Sequence, residues 1–440
     1  MKPNQLLGLG LLAATMLVTA CVPKKVEDEP TTVTPSNVVE VTTDILSSTT
    51  WSADKVYLLK DFVHVRSGAT LTIEAGTIIK GDKASKASLI ILPGGKISAI
   101  GTPTKPIVFT SNLPKGQRAA GDWGGLIILG KGIVNKAAAT VEGEGSPFGG
   151  ADNADNSGTL KYVRIEFAGV PFEADKEING LTLGGVGSGT TIDYVQVSYS
   201  GDDSFEWFGG AANAKHLVAY AGIDDDFDTD NGFVGNVQYG AVLRDPNIAD
   251  QCTCSSSNGF ESDNDGAGTS ATPQTTANFA NISIFVAPGA VNAKYNDGIF
   301  IRRNSAINVF NTLVVGAYPK AGLELNGSAS QASFTADLFK LQGIALVDMT
   351  TKTLATDAVK FADAANKNYT SWLLADLKLA TGFNALGKPN FLPQSTSPLL
   401  IANNAATTPA AFEAAPYIGA FGTTDWTATW TNFDPQNTSY

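Results

Sequence analysis

Ser200 to Gly232 reads SGDDSFEWFGGAANAKHLVAYAGIDDDFDTDNG, and this stretch decides the fold. Asp202-Asp203-Ser204-Phe205-Glu206 returns as Asp224-Asp225-Asp226-Phe227-Asp228 at an offset of 22 residues. Fainter echoes follow at Asn258-Gly259-Phe260-Glu261, Asp297-Gly298-Ile299 and Gly322-Leu323-Glu324. A period in the twenties, with an apolar residue and an acid in fixed register, marks a stacked solenoid. Equal positions of successive coils then lie about 4.8 Å apart. The register predicts one column of acids from Glu206, Asp228, Glu261 and Glu324, and a second column from Asp203, Asp225, Asn258 and Asp297. Like charges at that spacing repel unless a cation, an amide or solvent intervenes.

Composition agrees with short strands and tight turns. The 440 residues include 45 glycines and 3 methionines, and 16% are charged. A formal net charge of −12 speaks against a nucleic-acid partner, because phosphate binding needs a basic face. Small cations and glycans remain as partners.

The N-terminus reads as a targeting segment. Lys2 precedes an apolar run from Leu6 to Ala20 that is too short to span a bilayer comfortably. Leu17-Val18-Thr19-Ala20-Cys21 resembles a bacterial lipobox; the alternative is an ordinary signal peptide with a chance cysteine. The resemblance implies a signal peptide over 1–20, a lipid on Cys21 and a membrane anchor there. Lys25 with Glu27-Asp28-Glu29 resembles the export tag of Bacteroidetes surface lipoproteins, which implies the outer membrane and the cell surface. Residues 21–48 read as a flexible tether. Cys252 and Cys254 flank one residue; a loop disulfide or two free thiols fit them better than a metal site.

From about residue 49 the chain alternates short apolar runs with Gly or Pro. Examples are Leu71-Thr72-Ile73, Leu89-Ile90-Ile91-Leu92 and Leu126-Ile127-Ile128-Leu129. These coils resemble bacterial right-handed parallel β-helices, so the expected fold is all-β: a parallel β-helix over 49–350. Ser111–Gly121 and Val141–Ser157 read as excursions. The second carries Asp152, Asp155 and Asn156, which suit either a calcium loop or a solvated turn. Helix-forming composition over Asp357–Ala380, with Trp372, Leu373, Leu377 and Leu379, predicts a C-terminal helical and aromatic cap over 351–440.

Gly180-Leu181-Thr182-Leu183-Gly184-Gly185-Val186-Gly187, the Asp-Asp-Ser-Phe-Glu-Trp-Phe-Gly-Gly coil and the Tyr417-to-Pro435 ending are similar to a family of Bacteroidetes cell-envelope β-helix proteins. That resemblance implies fold and envelope location.

Three readings compete for the acidic coils. Asp and Asn side chains cap β-helix turns by bonding backbone amides. Alternatively, Asp224, Asp225, Asp226, Asp228 and Asp230, with Asp202, Asp203 and Glu206 one coil away, supply oxygen ligands for calcium. Thirdly, Gly201-Asp202-Asp203-Ser204 resembles the paired-aspartate segment of polygalacturonases. This makes Asp202, Asp203 and Asp225 candidate acids or bases, with Arg302 as a cation or lyase base. The polygalacturonase pattern also needs a later histidine, and His64 and His216 are elsewhere in the chain. The expected function is glycan or envelope-component binding on the face carrying Glu206, Asp228, Glu261 and Asp297. Alternatives are a polysaccharide lyase or hydrolase on that face, and a structural partner in an outer-membrane assembly.

Overall fold

The computed structural model describes residues 37–141, 143–173, 176–251 and 255–440. Cys21, Cys252 and Cys254 lie outside them, as do the signal peptide and most of the tether. Strand pairing begins inside the segment read as tether: Val38–Val41 pairs in parallel with Val56–Leu59, and Ile45 is buried. Alternating valines let residues 38–41 join the first coil.

Three parallel sheets wind round one apolar column. Among the described residues one sheet has ten strands, from Phe62–Val65 to Thr353–Leu354, and carries the acidic coils. The other two share long strands, such as Gly158–Glu166 and Asn278–Val286. The first half of each long strand pairs in one sheet and the second half in the other. The bend between halves falls at Tyr162, Tyr194, His216, Tyr239, Asn281 and Asn311, all with φ between 47° and 64°. A side chain in this left-handed region costs roughly 1–2 kcal/mol. Ring stacking offsets it: centroids are 4.5 Å apart for Tyr162–Tyr194, 4.1 Å for Tyr194–His216 and 4.9 Å for His216–Tyr239. His216, whose Nδ1 also lies 2.7 Å from Asp193, is therefore a stacking residue of the bend.

Inside, the ten-stranded sheet contributes Leu126, Leu181, Phe205, Phe227, Phe260, Ile299 and Leu323 in one register column. All are fully buried, with Phe205–Phe227 at 5.7 Å and Phe227–Phe260 at 5.2 Å. Period-two alternation then turns residues 206, 228, 261, 300 and 324 outward.

The C-terminal region corrects the helical expectation. Between 357 and 380 the chain forms one α-turn, Ala358–Phe361, and two 3-10 turns, Ala364–Asn366 and Leu374–Leu377. Its end sheet edge explains why. Tyr369 N–H donates to the Ile344 carbonyl at 2.7 Å, and Leu346 N–H donates to the Tyr369 carbonyl at 3.0 Å. An unpaired sheet edge takes an extended segment in preference to a helix. Beyond it the tail straps back along the outside: Phe391, Leu399, Ile418, Phe421 and Trp430 pack on Val218, Tyr220, Leu243, Phe285 and Val315. It ends with the Tyr440 hydroxyl donating to buried Glu166 at 2.6 Å.

The excursion after Leu129 lies on the apolar half of the ten-stranded sheet, through Ala139, Val141 and Phe148 on Ile90, Ile127 and Leu129. Asp152 and Asn156 cap turns there by accepting from the backbone two residues on, at 2.9 Å and 2.8 Å. These bonds fit the solvated-turn reading of this loop. His64 pins the loop, with Nδ1 2.8 Å from Asp44 Oδ1 and Nε2 2.9 Å from Glu144 Oε1. Arg66 also pairs with Asp44, and the Ser146 hydroxyl donates to Glu144. The Glu144 contact raises the His64 pKa above 6.5, although burial opposes it. A raised histidine pKa stabilises the fold below the unfolded value, and that contribution is lost as pH rises through the folded one. Amides of residues 143–148, corrected for intrinsic rate, are therefore expected to lose exchange protection on going from pH 6 to pH 9. His64→Gln should remove that dependence; an unchanged profile in the variant would refute the pin.

Candidate functional site

The turn entering the ten-stranded sheet carries an unbroken ladder. Asp203 N–H donates to Asn179 Oδ1 (3.2 Å), Asp225 N–H to Asp203 Oδ1 (2.8 Å), Asn258 N–H to Asp225 Oδ1 (2.5 Å) and Asp297 N–H to Asn258 Oδ1 (3.0 Å). Each side chain thus satisfies the backbone of the next coil. The second predicted column is present, and it starts one coil earlier than expected, at Asn179.

The outward column is also present, with one substitution: its order is Glu206, Asp228, Glu261, Phe300, Glu324. Phe300 separates two groups of acids. Beyond it, Lys320 Nζ lies 2.6 Å from Glu324 and 3.7 Å from Asp297. Burial and Glu324 push the Asp297 carboxyl up to about 8, against the pull of Lys320. Before it, Arg302 pairs with Glu261 and lies 2.9 Å from Asp263, while Arg303 lies 2.7 Å from Asp263.

Asp203, Glu206 and Asp228 meet differently. One carboxylate oxygen from each lies within 4.8 Å of the others, and Asp203 and Glu206 are only 7% exposed. Asp203 and Asp228 have no lysine or arginine within 4.0 Å among the described residues. Burial first, then Asp202, Asp225, Asp228 and Glu206, push the Asp203 carboxyl well above its usual range. Burial and Asp225 do the same to Asp228, whose Oδ1 is buried without a hydrogen-bond partner among the described residues. Asp202, Asp203 and Asp224 form a second close group that shares Asp203.

The column floors an open cleft of about 530 Å³. Phe208, Asp230 and Asn231 line it together with Asn135, Lys136, Asp263, Thr269, Arg302 and Arg303. Asn135 Nδ2 donates to the Asn264 carbonyl at 2.7 Å, which holds the segment around Asn135 to the Asn264 loop.

The family profile of the pectate-lyase like beta helix domain matches residues 43–384. The chain belongs to this family. The crystal structure of pectate lyase Pel9A is similar over 82% of this chain and 89% of that one, at 13% sequence identity and a TM-score of 0.36. No curated protein matches the chain.

In this pectate-lyase-like chain the run Asp224 to Asp230 does not act as one ligand set, because a turn and a pleated strand send its acids to different places. Asp226 turns inward to Arg244, 2.8 Å away, and both side chains have 0% exposure. Asp225 is a ladder residue. Asp224 accepts from Ser255 at 2.6 Å, and burial lifts it to about 6. Asp230, also lifted to about 6 by burial, caps Asn231 N–H at the strand end. Only Asp228 joins Asp203 and Glu206. Arg302 is correspondingly unsuited to be a base: burial opposes it, yet Glu261 and Asp263 hold its pKa above the usual value. The reading from residues missed Asn179, Asp263 and Asn135. Asn179 alone had a sequence signal, since Asn179-Gly180-Leu181 repeats the pattern of Asn258-Gly259-Phe260.

Proposed function

We propose that the acidic face binds a glycan and that a calcium ion held by Asp203, Glu206 and Asp228 orders it. The observation that carries this reading is the contrast along one face. Chain cations meet Glu261, Asp263 and Glu324, whereas Asp203 and Asp228 have no lysine or arginine within 4.0 Å among the described residues. The three carboxylates offer hard oxygen donors, and the unpartnered buried Oδ1 of Asp228 is the kind of atom a cation satisfies. Bound calcium would supply positive charge at the cleft floor, where sugar oxygens can complete its shell. Asn231 and Thr269 offer hydrogen bonds along the cleft, and Phe208 an apolar edge. On this reading the chain is anchored through a lipid on Cys21 and presents the face from the outer membrane. A lyase reading that uses Arg302 as base is the weaker one, because that guanidinium is engaged by two carboxylates.

The test is native electrophoresis of residues 37–440 through gels containing acidic and neutral polysaccharides, with calcium or EDTA, followed by product analysis. Retardation by at least one polysaccharide in calcium, abolished by EDTA and by Asp228→Asn, is the expected result. Mobility unchanged across the panel would overturn glycan binding. Shortened chains or unsaturated uronates would replace binding by catalysis.

A further inference from the structure

We propose that Asn179 is the positioning residue of the acidic site, a role that rests on the calcium reading above. One buried side chain, 3% exposed, makes two contacts. Its Oδ1 accepts from Asp203 N–H at 3.2 Å, which sets the height of Asp203 in the stack. Its Nδ2 donates to Glu206 Oε2, which fixes that carboxylate beside Asp203 and Asp228. Asn179 therefore holds two of the three carboxylates without itself adding charge.

The ladder alone does not call for an amide at this position. Asp203 and Asp225 occupy equivalent rungs, and their carboxylates accept the next backbone N–H at 2.8 Å and 2.5 Å. A ladder rung needs only an acceptor. What an amide adds is a donor, and Glu206 receives it. Asn258, the other ladder amide, stands on the far side of the trio. Its Nδ2 donates to the Ser256 carbonyl at 2.8 Å and to Glu261 at 3.3 Å. The aspartate rungs 203 and 225 thus lie between two amides, the ladder ends beyond Asn258 at Asp297, and the ladder member of the trio, Asp203, falls in the interval between the amides. Partners that orient a metal ligand typically affect affinity 10- to 100-fold. A purely structural ladder residue affects stability and leaves affinity alone.

The experiment is calcium titration calorimetry on wild type, Asn179→Ala, Asn179→Thr and Asn258→Ala, with melting curves in EDTA. Threonine keeps an oxygen for Asp203 N–H and removes the amide Nδ2 that reaches Glu206, so it serves if the alanine variant fails to fold. Both Asn179 variants are expected to bind calcium at least tenfold more weakly than wild type. Asn258→Ala should lower the melting temperature, as Asn179→Ala does, with calcium affinity within threefold of wild type. Wild-type affinity in Asn179→Thr, or an equal loss in Asn258→Ala, would overturn the positioning role. If wild type binds no calcium, the wild-type titration alone shows that the calcium reading has failed, and the role falls with it.

Discussion

Asp226→Ala is expected to destabilise the protein by about 3–5 kcal/mol, the largest effect of any single change in the acidic coils. Arg244 is fully buried, and its Nη1 donates to Asp226 and to the Asn258 carbonyl. Its Nη2 donates to the Asp224 carbonyl at 2.6 Å, and its guanidinium lies 4.9 Å from the Tyr295 ring centroid. The side chain therefore ties the acidic turn to the two coils that follow. Removing Asp226 leaves a buried guanidinium with carbonyl partners only. Taking out both charges is a different change: Asp226→Leu with Arg244→Met should recover most of the loss, because a packed apolar pair need not be desolvated. The urea midpoint of each variant, read by circular dichroism, checks this. A single variant within 1 kcal/mol of wild type, or a double variant worse than the single, would show that the ion pair does not hold this turn.

The architecture was legible because stacking converts a sequence period into a spatial contact. An offset of 22 residues between Phe205 and Phe227 becomes a ring pair at 5.7 Å, and Glu206 falls beside Asp228 for the same reason. What the period does not carry is direction within a turn. Asp224, Asp225 and Asp226 are consecutive, yet one meets Ser255, one continues the ladder and one enters the core to reach Arg244. Asp226 could be recognised as structural only by knowing that the strand Asn236–Arg244 ends beneath the turn. No local pattern around Arg244 says so. The helix expected over 357–380 failed for a related reason. Its local propensity competes with an open sheet edge at Ile344 and Leu346, visible only once the coils are stacked.

The second large effect concerns calcium and has an unusual sign. In EDTA, Asp228→Asn is expected to raise the melting temperature. Burial and neighbouring acids lift the carboxyls of Asp203 and Asp228, so the ionised trio opposes folding at neutral pH. Two unit charges about 4 Å apart at intermediate dielectric repel by about 4 kcal/mol before relaxation, so relief of roughly 1–4 kcal/mol is expected. Calcium should then stabilise wild type by about 2.7 kcal/mol at a hundredfold excess over its dissociation constant, and the variant by far less. The variant's advantage in EDTA should therefore shrink in calcium, and it reverses where the relief is below about 2.7 kcal/mol. The pH dependence follows the same logic. Each lifted carboxyl has a folded pKa above its unfolded value, so protonation favours the fold. Metal-free protein should gain stability as pH falls from about 8, where Asp297 titrates, through about 6, where Asp224 and Asp230 do, toward the unfolded value near 3.8. Ordinary acid denaturation runs the other way. With calcium bound, protons and metal compete for the same oxygens, and the gain on acidification should be smaller. Melting curves of wild type and Asp228→Asn at pH 5 and 7.5, each with calcium or EDTA, test both statements. A variant less stable than wild type in EDTA, or a calcium shift that survives the substitution, would remove Asp228 from the site.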